Sequence, residues 1–263
     1  MFNRELKINF KSFIIWTLVL ITLFLVVYLI YPSIMNSENV EMLNEMMKVF
    51  PEEVLKAFNM DISGIETAYG WLKTEGFVFV LLITGIYSGI LGSSILLKEE
   101  NDKTIEYLNS LPITRNNIIL SKITTSLIYI ISMILILSIF NYIGLSISCD
   151  FDKKSYLLLS ITPIFSSTVI FALCLFISTF THKTKKTLGI SLAIVFISYF
   201  LQIVSELDKS TEFLKYFSVF TLADIRNVIT NISINPLMII ISITLTVILL
   251  LLSVINYNKK ELI

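Results

Sequence analysis

Six long apolar runs divide this 263-residue chain, and almost no charge lies inside them. A bilayer's hydrocarbon core is roughly 30 Å thick, and a helix needs about 20 apolar residues to cross it. Within it every backbone N–H and C=O must be bonded inside the protein, so spanning segments are helices or closed barrels. The chain therefore reads as an all-α integral membrane protein with spans at 13–34, 77–97, 118–147, 156–181, 187–205 and 236–256. The third is too long for one perpendicular crossing, so it must tilt or extend into water. Composition agrees: 15% of residues are charged, against about 25% in a soluble domain. Acidic and basic residues balance at 20 each, so no overall charge calls for a nucleic-acid partner.

Lys and Arg sort the connecting segments into two sets. Segments 1–12, 98–122, 182–186 and 257–263 hold 12 basic and six acidic residues in 49 positions. Segments 35–76, 148–155 and 206–235 hold 8 basic and 14 acidic residues in 80 positions. Basic residues concentrate on the cytoplasmic side, so both termini are expected inside, as an even span count requires. The first apolar stretch is longer than a signal-peptide core and no A-x-A site follows it, so it reads as a retained span. Abundant Ile, Lys and Asn point to an AT-rich bacterial genome, hence a bacterial plasma membrane.

Three connecting segments carry pattern. Phe2, Leu6, Phe10 and Phe13 share one helical stripe, with Arg4, Lys7 and Lys11 on the far side. That predicts a helix lying in the membrane interface ahead of the first span. In 35–76, Met42, Met46 and Phe50 recur at four-residue spacing, and Pro51 suits the first turn of a second short helix. Segment 206–235 is too apolar for a solvated loop and too charged for a span, given Asp208, Lys215, Asp224 and Arg226. A short helix entering the outer leaflet without crossing satisfies both facts.

Some side chains invite chemistry and return little. Cys149 and Cys174 should lie at different bilayer depths, beyond the roughly 7 Å limit for a disulfide. His182, the sole histidine, stands in the basic turn 181–186, which reads as a headgroup anchor rather than a metal site. Gly85, Gly89 and Gly92 permit close helix approach, within one subunit or between two. No Asp, Glu, Lys or Arg is expected at mid-depth, where an ion-coupled carrier needs them. Asn141, Tyr199 and Gln202 could line a conduit or pack helices. Glu99-Glu100 invites comparison with paired-Glu membrane proteases, but those need intramembrane His and Arg partners that the spans lack.

The loop between the second and third spans is the most informative. A charged stretch, Lys98-Glu99-Glu100-Asn101-Asp102-Lys103, runs into a short amphipathic helix with Ile105, Leu108 and Leu111 on one side, and Pro112 stops it. Such a knob could dock an apolar face in a soluble partner's groove, with charges fixing orientation, or it could merely cover lipid headgroups.

The run Gly92-Ser93-Ser94-Ile95, Glu99-Glu100, Lys103-Thr104-Ile105-Glu106-Tyr107-Leu108, Leu111-Pro112-Ile113-Thr114-Arg115 and a later Lys122 resembles the hallmark inner loop of type-2 ATP-binding-cassette (ABC) exporter permeases. The departure is Lys103, where a Gly is common. The resemblance implies a single transmembrane permease domain over 1–263. It also implies a coupling helix that docks on a separate cytoplasmic ATPase subunit, and a second permease, identical or not, beside this one. It assigns ATPase docking to Glu99, Glu100, Thr104, Ile105, Glu106, Leu108, Leu111, Pro112 and Arg115. No Gly-x-x-x-x-Gly-Lys-Ser/Thr loop occurs in the chain, so ATP and Mg belong to the partner and this chain is not the enzyme. The chain is also similar to small Gram-positive permeases that export toxin-like or antimicrobial peptides. Lipids, drugs and sodium stay open as cargo, and a non-transporting scaffold is the remaining rival.

Overall fold

The computed structural model describes residues 1–34, 45, 49, 67–110, 112–208 and 210–260, and the described residues are helical throughout, without strands. Among the described residues six helices are long and apolar enough to cross a membrane. Each contains one expected span, apart from a few residues that overrun helix ends. The two short helices expected within 35–66 lie outside the described residues, as do Leu111 and the side chain of Glu106.

Helix α1 covers Phe2–Ile34 without a break. The expected interfacial stretch and the first span are thus one continuous helix. No Gly or Pro interrupts residues 2–31, and local bonds cross the expected boundary: Asn9 Nδ2 donates to Glu5 O at 3.0 Å, and Thr17 Oγ1 to Phe13 O at 2.8 Å. At 1.5 Å per residue, α1 is about 50 Å long, so its first turns exceed what a bilayer core requires. Of the predicted stripe, Phe2 and Phe10 are exposed. Leu6 instead turns to the bundle, where Tyr129 donates to its carbonyl at 2.6 Å.

The second span begins earlier than expected. Helix α2 (Ala68–Trp71), capped by Thr67 Oγ1 on Gly70 N, passes through a π-helical turn at Leu72–Gly76 into α3 (Phe77–Ser94). Lys73 and Glu75 read as loop residues in the sequence, yet the helix accommodates them. Lys73 Nζ sits 4.4 Å from the centre of the Tyr69 ring.

Short helices α4 (Lys98–Asn101) and α5 (Ile105–Ser110) form the loop before α6 (Arg115–Ser148). Helix α7 (Lys153–Ser178) starts at an Asp152 cap and contains Pro163. Proline removes the N–H that would bond Leu159 O, and Thr162 Oγ1 takes that carbonyl instead at 2.8 Å. Helix α8 (Thr184–Leu207) is followed by 3₁₀ turns at Glu212–Phe217 and Val219–Ala223, then α9 (Ile225–Asn231) and α10 (Pro236–Lys259). Segment 206–235 thus folds as short helices against α7 and α8 and supplies no seventh long apolar helix.

Helix α7 is the hub: it packs on α3, α6, α8, α9 and α10. A Cβ on Gly92 would stand 2.6 Å from Phe171 O of α7, and one on Gly85 2.9 Å from Phe220. Gly89 faces Val195 of α8 at 3.3 Å. All three glycines therefore serve approaches inside this chain. The outer faces of α1, α8 and α10 stay open, with Ile15, Leu18, Phe200 and Ile240 more than half exposed. Such faces suit lipid or a second membrane protein.

Candidate functional site

Both termini and the 98–115 loop meet at one end of the bundle, hereafter the terminal end. Lys122, two turns into α6, is fully buried there. Its Nζ donates to Ile95 O at 2.6 Å and reaches both Glu99 carboxylate oxygens at 2.9 and 2.8 Å. Glu5 Oε2 of α1 lies 3.6 Å away, and Arg4 Nη2 stands 3.9 Å from Glu99. Lys122 thus ties α1, the end of α3 and the root of α4 to α6.

Glu100 faces the other way. Lys260 Nζ, just past α10, donates to Glu100 Oε1 at 2.7 Å and to Thr181 O at 2.6 Å. His182 Nδ1 lies 2.9 Å from Glu100 Oε2. Arg115 Nη1 donates to Lys260 O at 3.0 Å and Asn258 O at 3.2 Å, closing the end of α10. Asn101 bonds Thr184 at the start of α8. Two adjacent glutamates on a one-turn helix, with Asn101 beside them, therefore tie together α1, α6, the end of α10 and the turn before α8.

Burying a charge is tolerable only when it is paired and hydrogen-bonded. Glu99, Glu100 and Lys122 meet that condition, with side chains no more than 4% exposed. The backbone completes the clamp. Thr104 N donates to Glu99 O at 2.9 Å and Lys103 N to Glu100 O at 3.4 Å, the paired bonds that close a helix in a Schellman motif. Lys103 takes φ 55 to do so. The turn that favours Gly is kept with a lysine in it.

The nine residues assigned to docking therefore divide. Thr104, Pro112 and Arg115 are exposed. Glu99 and Glu100 turn inward to the ion pairs. Ile105 and Leu108 are 4% and 1% exposed and belong to the bundle's own core. The two described apolar side chains of α5 are thus covered within the bundle itself. Among the described side chains of the loop, Asn101–Thr104, Ser110, Pro112, Thr114 and Arg115 are exposed.

Sequence reasoning missed Glu5, Lys260 and His182 as members of this cluster. Lys260 and His182 registered only as topology signals. Their pairing spans 160 and 82 positions, which no local pattern reveals. Lys122, a lone cation inside an apolar run, was the one visible sign that a buried carboxylate must be near. Among the other singled-out polar residues, Asn141 is buried against the Tyr28 hydroxyl (3.3 Å). Tyr199 and Gln202 line a large cavity at the far end. Cys149 and Cys174 are both free thiols. Among the described residues no three His, Cys, Asp or Glu side chains converge as metal ligands.

The family model for ABC-2 family transporter proteins matches residues 2–262. No curated protein and no solved structure matches the chain.

Proposed function

The chain belongs to the ABC-2 family of transporter proteins, and we propose that it is the membrane subunit of an ATP-driven exporter of hydrophobic or amphipathic molecules, peptides of toxin or antimicrobial type foremost. Its family makes it a multi-pass transport component that works with an ATPase. In this reading the partner binds ATP and Mg, hydrolyses ATP and engages the exposed rim of the 98–115 loop. A second permease, a copy or a relative, completes the exporter in a bacterial plasma membrane. The basic bias of segments 1–12, 98–122, 182–186 and 257–263 supports a cytoplasmic terminal end.

One observation carries the reading. The described rim of the loop is exposed, while its root is pinned by buried ion pairs to α1, α6 and the end of α10 and by a hydrogen bond to the start of α8. A push on the rim is therefore delivered to all those helices together. A loose loop would absorb it.

Coexpression with the ATPase subunit tests this. The double substitution Asp102→Arg, Thr104→Lys changes only exposed side chains. It should lower ATPase co-purification about tenfold, as reversing rim charge at a steered interface does. Membrane insertion and thermal stability should be unchanged. Wild-type levels of complex with this variant would overturn the docking assignment.

A further inference from the structure

Helix α8 begins beside the ion cluster and ends about 35 Å away, where a cavity of about 1140 Å³ opens between α3, α8 and the 206–235 segment. Part of its wall is apolar, with Phe79, Leu82 and Phe220, and Tyr199 meets Phe220 edge-on at 6.3 Å. Among the described lining residues five carboxylates stand beside two basic side chains. One of those, Lys215, is held by Glu212 at 2.6 Å.

Glu75 and Glu206 stand out. Both are half-buried in membrane-spanning helices, on different helices that line the cavity. The π-helical turn at Leu72–Gly76 carries Glu75, and such turns inside α-helices recur at functional sites. Glu206 accepts a bond from Gln202 Nε2 at 2.8 Å, a neutral donor. Among the described residues no Lys, Arg or His lies within salt-bridge reach of Glu75 or Glu206. At the terminal end each buried carboxylate stands within 3.6 Å of a lysine, Glu5 and Glu99 sharing Lys122 and Glu100 taking Lys260. Here Glu75 and Glu206 border the cavity with neutral hydrogen-bond partners, Trp71 and Gln202, in place of a lysine.

We propose that this cavity binds a cationic amphiphile, with Glu75 and Glu206 taking its ammonium or guanidinium group and the Phe79–Leu82–Phe220 wall its apolar body. An inorganic cation alone would leave the wall unused. A neutral lipid would leave the carboxylates unmatched, and an anionic one would be repelled. The volume exceeds the 300–1,000 Å³ of ordinary small-molecule sites, which fits a long-chain amine or one turn of a basic amphipathic peptide. Tyr199 and Phe220 add aromatic surface that attracts cations. That the ligand is cargo rests on the exporter reading above; the binding does not.

The chain has two tryptophans, and Trp71 lies one turn before Glu75, so Trp16→Phe makes Trp71 a local reporter. The full chain in phosphatidylcholine nanodiscs, without an ATPase, is titrated with dodecylamine and with dodecanol. The amine should saturate the Trp71 signal at least about tenfold below the alcohol, and Glu75→Gln and Glu206→Gln should each raise its half-saturation about tenfold. Arg226→Ala removes a competing cation and should tighten amine binding about threefold, which keeps a readout if a Gln variant fails to fold. Equal half-saturation for amine and alcohol, or Gln variants indistinguishable from the parent, would overturn the proposal. Because no ATPase is present, a failed titration leaves the docking reading standing, and failed docking leaves the titration intact.

Discussion

The two ends of the bundle treat buried charge in opposite ways. At the terminal end Glu99, Glu100, Lys122 and Lys260 are paired cation to carboxylate at 2.7–2.9 Å, with almost no surface exposed. At the far end Glu75 and Glu206 border open volume with only neutral or distant partners among the described residues. A satisfied buried pair specifies geometry, because any movement that parts the two groups leaves a bare charge. An unmatched carboxylate beside a cavity specifies nothing internally and is available to a ligand. The same residue types thus build a rigid joint at one end and a receptive chamber at the other, connected by α3 and α8.

The largest effect should come from breaking the joint. Lys122→Met keeps the stem's packing but leaves Glu99 and Glu5 buried without their cation, a change that costs about 3–5 kcal/mol. Detergent thermal unfolding should show a large fall in midpoint. Adding Glu99→Gln should restore much of it, since neutralising both partners of a buried pair is far cheaper than removing one. A single variant as stable as the parent would mean that the cluster is wet and the contrast between the ends is false.

That joint also marks the limit of what the sequence discloses. The spans were legible because about 20 apolar residues in a row have few other uses. The hairpin at 98–115 was legible as a pattern, and Thr104, Pro112 and Arg115 are exposed in it. The ion pairs were not, because Glu100 meets Lys260 across 160 positions and nothing local distinguishes a pairing lysine from a topological one. Two boundaries misled for a related reason. An amphipathic stripe over Phe2–Phe13 is the same whether the helix lies in the interface or simply continues into a span, so α1 as one helix had to be seen. Lys73 and Glu75 looked like loop because their charges are noticed before their neighbours, yet the Tyr69 ring takes the first and the cavity faces the second.

The seam that links the ends gives the next test. A methyl group at Gly92 would lie 2.6 Å from a backbone oxygen of α7, which has no rotamer to change. Gly92→Ala should cost about 1–3 kcal/mol as α3 and α7 are forced apart. At Gly189 of α8 no atom lies within 4 Å, and Gly189→Ala should gain up to about 1 kcal/mol from helix propensity. Opposite signs in paired melting curves would locate the rigid connection in the α3–α7 seam. Equal signs would remove it.

Lys103 refines the joint further. It holds φ 55 at the Schellman position, where a side chain is strained and Gly is not. Lys103→Gly should therefore stabilise the chain by about 1 kcal/mol, the left-handed penalty of a non-Gly residue. A loss of stability would mean that the lysine side chain contributes more to the loop than its backbone strain costs.

The smallest effect on stability should be at the far end, and its smallness is the point. Glu206→Gln keeps an acceptor for Gln202 Nε2 and takes a half-buried charge out of an apolar surround. The midpoint should shift by less than the equivalent of about 1 kcal/mol in either direction, because the weaker neutral hydrogen bond is offset by no longer desolvating a half-buried charge. Arg226 on the same wall limits any gain, since it loses a nearby anion. If this substitution instead destabilised the chain as strongly as Lys122→Met, Glu206 would be part of a second structural joint. The chamber would then have no unmatched charge to offer a ligand.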